Sequence, residues 1–124
     1  MLPGRLRYCS EGIGLQSIDP QALKGHLDLL LLSALASGPA HGYAIAKEIR
    51  RRSLETFDLA EGTVYPALHR LEGDGLIESE WSEVSGRRRR VYRLTRRGKA
   101  ALGEKKEGWG RFARGMRAAL EGSR

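Results

Sequence analysis

The chain has 124 residues, 40% of them apolar, which suits one small folded domain better than a disordered segment or several domains. Its formal charge of +7 favours a polyanionic partner or a membrane surface, and its single cysteine, Cys9, excludes an internal disulfide framework or a Cys/His zinc cluster. The apolar run 27–35 holds Asp28 and Ser33 and is too short to cross a bilayer, and residues 1–14 lack the apolar core of a signal peptide, so a cytoplasmic protein with no membrane segment is expected.

Residues 1–18 carry Pro3, three glycines and no sustained period, and read as a mobile arm. Asp19-Pro20 then opens a first helix, Asp as cap and Pro at the first helical position. Leu23, Leu27, Leu30, Leu31 and Ala34 follow at helical spacing, with Leu29, Leu32 and Leu35 filling the other side. A helix apolar on most faces belongs at the centre of a core or in an interface. Ser37-Gly38-Pro39 stops it.

His41-Gly42 opens a second helix running to about Arg52, with Tyr43, Ala46 and Ile49 as its expected buried stripe. A loop through Phe57 and Asp58 leads to a third helix. Val64, Ala67, Leu68 and Leu71 fall on one side of it, and Thr63, Pro66, His69, Arg70 and Gly73 on the other, with Tyr65 at the flank. Pro66 lacks an N–H, which argues for a start near Thr63 or a small kink. Gly73-Asp74-Gly75 ends the helix.

Residues 76–84 alternate, with Ile77 and Trp81 expected inward and Glu78, Glu80 and Ser82 outward. Ser85-Gly86 is a turn, Arg87–Arg90 form the hairpin tip, and residues 91–95 return with Tyr92 and Leu94 inward. Thr95 caps a last helix from about Arg96 to Gly122, whose Leu102, Trp109, Phe112, Met116 and Leu120 make one heptad-like seam. Gly103, Gly108, Gly110 and Gly115 weaken that helix in isolation.

Three helices, a hairpin and a helix are the order of a winged helix-turn-helix: an α+β, mostly α fold with a two-stranded wing and a further C-terminal helix. The expected division is an arm (1–18), a winged-helix DNA-binding domain (19–95) and the C-terminal helix (96–124). From Val84 to Gly103 there are eight Lys or Arg and no acidic residue, so the positive charge is concentrated on the wing. Four adjacent arginines repel one another in a free turn, but beside a duplex each can meet a phosphate or a narrow minor groove. The expected DNA-binding set is Thr63, Tyr65, Pro66, His69 and Arg70 on the third helix, with Arg87, Arg88, Arg89 and Arg90 on the wing. Thr63 suits a phosphate or a thymine methyl, and Arg70 a guanine. Strand alternation sends neighbours to opposite faces, so Arg87 and Arg89 are expected to be the essential pair. Arg93, Arg96 and Arg97 either extend the basic strip or pair with Glu78 and Glu80.

The stretches SALASGPAHGYAIAKEI (33–49), EGTVYPALHRLEGDGLIESEW (61–81) and SGRRRRVYRLTRRGKAAL (85–102) resemble the PadR family of bacterial transcriptional regulators. The resemblance implies a homodimeric repressor on double-stranded DNA. It also implies the short subfamily, in which a single C-terminal helix, here 96–124, carries dimerisation. Some members of the family respond to phenolic acids or planar cationic drugs, and in some short members an aromatic residue of the last helix lines a pocket at the dimer centre. Trp109 stands at the matching place, with Phe112, Leu102 and Met116 around it. Seam aromatics are more often plain interface core, so Trp109 and Phe112 carry either an interface or a site for a small aromatic or planar ligand. The family's capping residue before the Gly of the reading helix is missing, since Ala60-Glu61 precede Gly62.

No nucleophile–base constellation and no phosphate-cradling glycine loop is present, and His26, His41 and His69 are too scattered for a metal site. No enzyme activity, cofactor or metal is therefore expected. Two other classes remain: a nonspecific nucleic-acid coating protein that uses only the basic wing, and a ligand-sequestering helical dimer.

Overall fold

The computed structural model describes residues 20–122; the expected arm at 1–18 lies outside them. Four helices, α1 (Pro20–Leu35), α2 (Gly42–Arg52), α3 (Glu61–Gly73) and α4 (Arg96–Glu121), pack with a small sheet of β1 (Ala40–His41), β2 (Ile77–Val84) and β3 (Arg87–Leu94). The fold is mostly helical, with the three-helix and hairpin order of a winged helix-turn-helix.

Helix α1 is central because its leucines make it apolar on most faces. Leu31 and Leu32 are fully buried, and the helix touches α2, α3, α4 and β3. Ile45 and Ile49 of α2, Val64, Leu68 and Leu71 of α3, Ile77 and Tyr92 of the sheet and Leu102 of α4 close the same core. The expected stripe of α2 is corrected at one position. Tyr43 is 57% exposed, and Ile45 takes the buried place, because α2 turns its Gly42–Ile45–Ile49 edge toward α1 and α3.

Two glycines mark close approaches. At Gly42 an added Cβ would sit 2.5 Å from the Tyr65 ring, so a bare backbone lets α3 lie against the start of α2. At Gly98 a Cβ would run into the Leu76 carbonyl, so the first turn of α4 packs directly on the strand entry. Thr95 secures that turn: its Oγ1 accepts from Gly98 N at 3.0 Å and donates to the Gly75 carbonyl at 2.7 Å.

Helix α3 starts at Glu61, two residues before the expected Thr63, which leaves Pro66 inside the helix. Ala60 offers no side-chain cap; its carbonyl instead accepts from the N–H groups of Thr63 and Val64. Glu61 adds a favourable negative charge at the positive helix end.

The sheet order is β1-β3-β2, antiparallel throughout. Strand β1 was not legible as an element, being two residues long; it pairs Ala40 with Tyr92 and His41 with Val91. The hairpin turn is Ser85-Gly86, both with positive φ (54° and 77°), a geometry that matches strand twist. The four arginines are therefore not the tip, as expected, but the first half of β3, paired with Val84, Glu83, Ser82 and Trp81.

Candidate nucleic-acid interface

Register sorts the wing side chains. Ile77, Ser79 and Trp81 share one face of the hairpin with Arg88, Arg90, Tyr92 and Leu94, while Arg87 and Arg89 lie on the other with Arg93. At the root the first face belongs to the core. Ile77 is 1% exposed and Tyr92 7%, and burial pushes the Tyr92 hydroxyl pKa up. Further out the hairpin outruns the core. Trp81, expected half-buried, is 56% exposed because no helix lies over that part of the strand.

A cleft of about 850 Å³ opens between the wing and the starts of α2 and α3. Tyr43, Tyr65, Trp81 and all four arginines line it. A second, of about 790 Å³, continues along α3 past Pro66, His69 and Arg90. Thr63, Tyr65, Pro66 and His69 are all exposed on α3, as the helical spacing predicts; Tyr65, Pro66 and His69 line these clefts, and Thr63 does not.

Carboxylates engage several arginines outside the Arg87–Arg90 run. Arg51 and Arg52 both reach Glu48 at 2.7 Å, and their hydrogen bonds hold its carboxyl at about 2. Arg93 pairs with Glu78 at 2.9 Å and Glu80 at 3.4 Å, the alternative in which it does not extend the basic strip. Arg70 is also engaged. It grips Asp28 of α1 through two bonds of 2.8 and 3.0 Å, turned away from the clefts beside the wing. Arg90 donates to Ser79 Oγ at 2.8 Å and lies 3.9 Å from Glu72. Among the described residues no carboxylate comes within 4.0 Å of Arg87, Arg88 or Arg89. The wing therefore carries three consecutive guanidiniums without a carboxylate partner; Arg96, Arg97, Arg111, Arg114 and Arg117 of α4 have none either among the described residues.

His41 joins the wing to α2. Its Nδ1 accepts from Ala44 N at 3.3 Å and caps the helix, and Arg89 Nη1 lies 3.0 Å from its Nε2. Burial, then the Arg89 charge, lowers the imidazole pKa. His41, Tyr43 and Trp81 are cleft residues outside the expected set. The available signals were the polar cap at His41-Gly42 and the outward reach of the Ile77–Ser79–Trp81 alternation.

At the far side of the molecule, His26, Asp28, Arg70, Lys105, Trp109 and Phe112 line a cleft of about 490 Å³ between α1 and α4. His26 meets the Trp109 ring edge-on at 5.2 Å. Leu102 is buried, but Trp109, Phe112 and Met116 are about half exposed, so the seam runs out of this chain's core onto open surface. Among the described residues no three metal-ligating side chains gather, and no helix is long and apolar enough to cross a membrane.

The sequence profile described as the Transcriptional regulator PadR-like family matches residues 31–104. The transcriptional regulator Rv3488 of Mycobacterium tuberculosis is 43% identical over 86 residues, 69% of this chain and 78% of that protein. The crystal structure of a PadR family transcription regulator from Clostridium difficile is similar, with 41% identity, 79% of this chain and all of that one covered, and a TM-score of 0.67. A PadR-like regulator from Bacillus cereus has 31% identity, 83% and 99% coverage and a TM-score of 0.73. The matched span runs from the C-terminal end of α1 through both helices beside the wing to the first turns of α4, so the agreement covers the elements that build the basic cleft: the chain belongs to the PadR-like family of transcriptional regulators.

Proposed function

We propose that this regulator is a sequence-specific DNA-binding protein and a homodimeric repressor of an inverted-repeat operator. The observation that carries the reading is the run of Arg87, Arg88 and Arg89 on the wing, without carboxylate partners among the described residues, beside the exposed face of α3. In this reading residues 19–95 bind DNA and 96–124 hold the dimer. Helix α3 enters the major groove with Thr63, Tyr65, Pro66 and His69, and Arg87–Arg90 meet phosphates or the adjacent minor groove. Arg70, clasped by Asp28, reaches DNA only by giving up that pair.

The open seam of α4 supports the dimer. Half-exposed Trp109, Phe112 and Met116 are an apolar surface that a second copy covers. A planar aromatic ligand entering between Trp109 and its two-fold mate spreads the reading helices from their spacing of about 34 Å and releases the operator. Apolar rings with Asp28, Arg70 and Lys105 close by support such a ligand.

Footprinting tests the reading. Protection is expected over two half-sites of an inverted repeat, and transcription from that promoter is expected to fall as protein is added. With roughly six phosphates neutralised, affinity drops on the order of a thousandfold across a fourfold rise in salt. Equal binding to any duplex, with no repeat protected, overturns it in favour of a coating protein.

A further inference from the structure

Trp81 is a large apolar side chain on a strand face that has left the core. Two cations cover it. The Arg88 guanidinium carbon lies 4.7 Å from the indole centroid and that of Arg90 5.2 Å. Arg90 is directly opposite Trp81 across the ladder, and Arg88 is its diagonal neighbour. The two arginines do not have the same support. Arg90 is also held by Ser79 Oγ, which donates at 2.7 Å to Glu72 of α3. Among the described residues the indole is the only cation-binding group on Arg88.

We propose that Trp81 is a positioning residue for DNA binding: its ring is a platform that holds the guanidiniums of Arg88 and Arg90 side by side on the wing face that borders α3. An arginine ordered only on binding loses rotamer freedom at that moment, and one already stacked does not. The relay through Ser79 and Glu72 ties the same pair to the reading helix, so the platform also sets where the charges stand relative to the groove. This changes the weighting that alternation alone suggests: Arg88 and Arg90 are the wing contacts that the indole pre-orders, while Arg89 stands against His41. The inference rests on the DNA-binding reading, but one arm of its test needs no DNA.

The chain has two tryptophans, so in a Trp109→Phe background Trp81 is the sole indole reporter. In that background Arg88→Gln and Arg90→Gln should each change the Trp81 emission of the free protein; emission unchanged in both overturns the platform. The second arm uses the otherwise unmodified chain and a mixed-sequence duplex of about 30 base pairs, long enough for half-sites one turn apart. Trp81→Ala is expected to weaken binding about tenfold and to lower the salt slope by about one, with Trp81→Phe restoring most of both. Adding Arg88→Gln to Trp81→Ala should cost little more than the worse single change. A native salt slope in Trp81→Ala, or fully additive losses, overturns the proposal, the latter because the indole would then touch DNA by itself. If the unmodified chain binds no duplex, it is the DNA-binding reading that fails, and emission alone decides the platform.

Discussion

Helices α1 and α4 both space apolar residues for one continuous face, and they fare differently. In α1 the face is spent inside the chain: Leu27, Leu31, Leu32 and Leu35 are buried against three other helices and the sheet. In α4 only Gly98 and Leu102 are buried, while Trp109, Phe112, Met116 and Leu120 stand 45–78% exposed. Apolar spacing says that a face needs cover; it does not say whether the cover lies in the same chain. From α1, His26 meets the Trp109 ring edge-on and leaves it about half exposed.

The largest effect should come from the α1 side of this comparison. Leu31→Ala is expected to cost about 2–5 kcal/mol in urea unfolding, at any protein concentration. Phe112→Ala, on the α4 side, should instead abolish a concentration dependence of Tm that the unmodified chain displays. A concentration-independent Tm in the unmodified chain breaks the comparison.

Within α4 the same contrast recurs between its root and its free length. Gly98→Ala drives a methyl into the Leu76 carbonyl and should destabilise by about 1–3 kcal/mol. Gly103→Ala meets open space and should stabilise by roughly 1 kcal/mol through helix propensity. Thermal melts of the two variants should therefore move in opposite directions.

The Asp28–Arg70 pair ties α1 to α3, and it borders the α4 cleft. The carboxylate and guanidinium are partly exposed, so Asp28→Asn should cost at most about 1 kcal/mol, with the loss shrinking as salt is raised. A loss that ignores salt would show that packing, not charge, joins the two helices there.

The smallest effect is at His41. Its folded-state pKa lies below the ordinary value, so the native state binds this proton less readily than the unfolded chain. The stability it contributes is present above the unfolded-state pKa and fades as pH falls through the lowered one. Tm should drop slightly between about pH 7 and 5, and His41→Asn, which keeps a capping acceptor without titrating, should flatten the change. An identical pH profile in that variant places the titration elsewhere.

Most elements were legible because local rules mark their ends. Pro20, the His41 and Thr95 caps, the Ser85-Gly86 turn and the break at residues 73–75 all fall where the chain changes structure. The α3 stripe Val64–Ala67–Leu68–Leu71 is buried as its spacing requires. The errors lie where burial depends on what stands opposite. Tyr43 and Trp81 have apolar rings at plausible inward positions, yet neither has a helix above it. Strand β1 exists only because β3 passes beside it.

The amino-acid order by itself determined the succession of helices and strands, the faces needing cover and the clustering of positive charge, since capping, periodicity and composition act over a few residues. Tertiary structure alone decided which arginines keep their charge unpaired, which pair shares the Trp81 ring and that Arg70 answers to Asp28. Those outcomes depend on strand register and helix packing, and both join residues far apart in the chain.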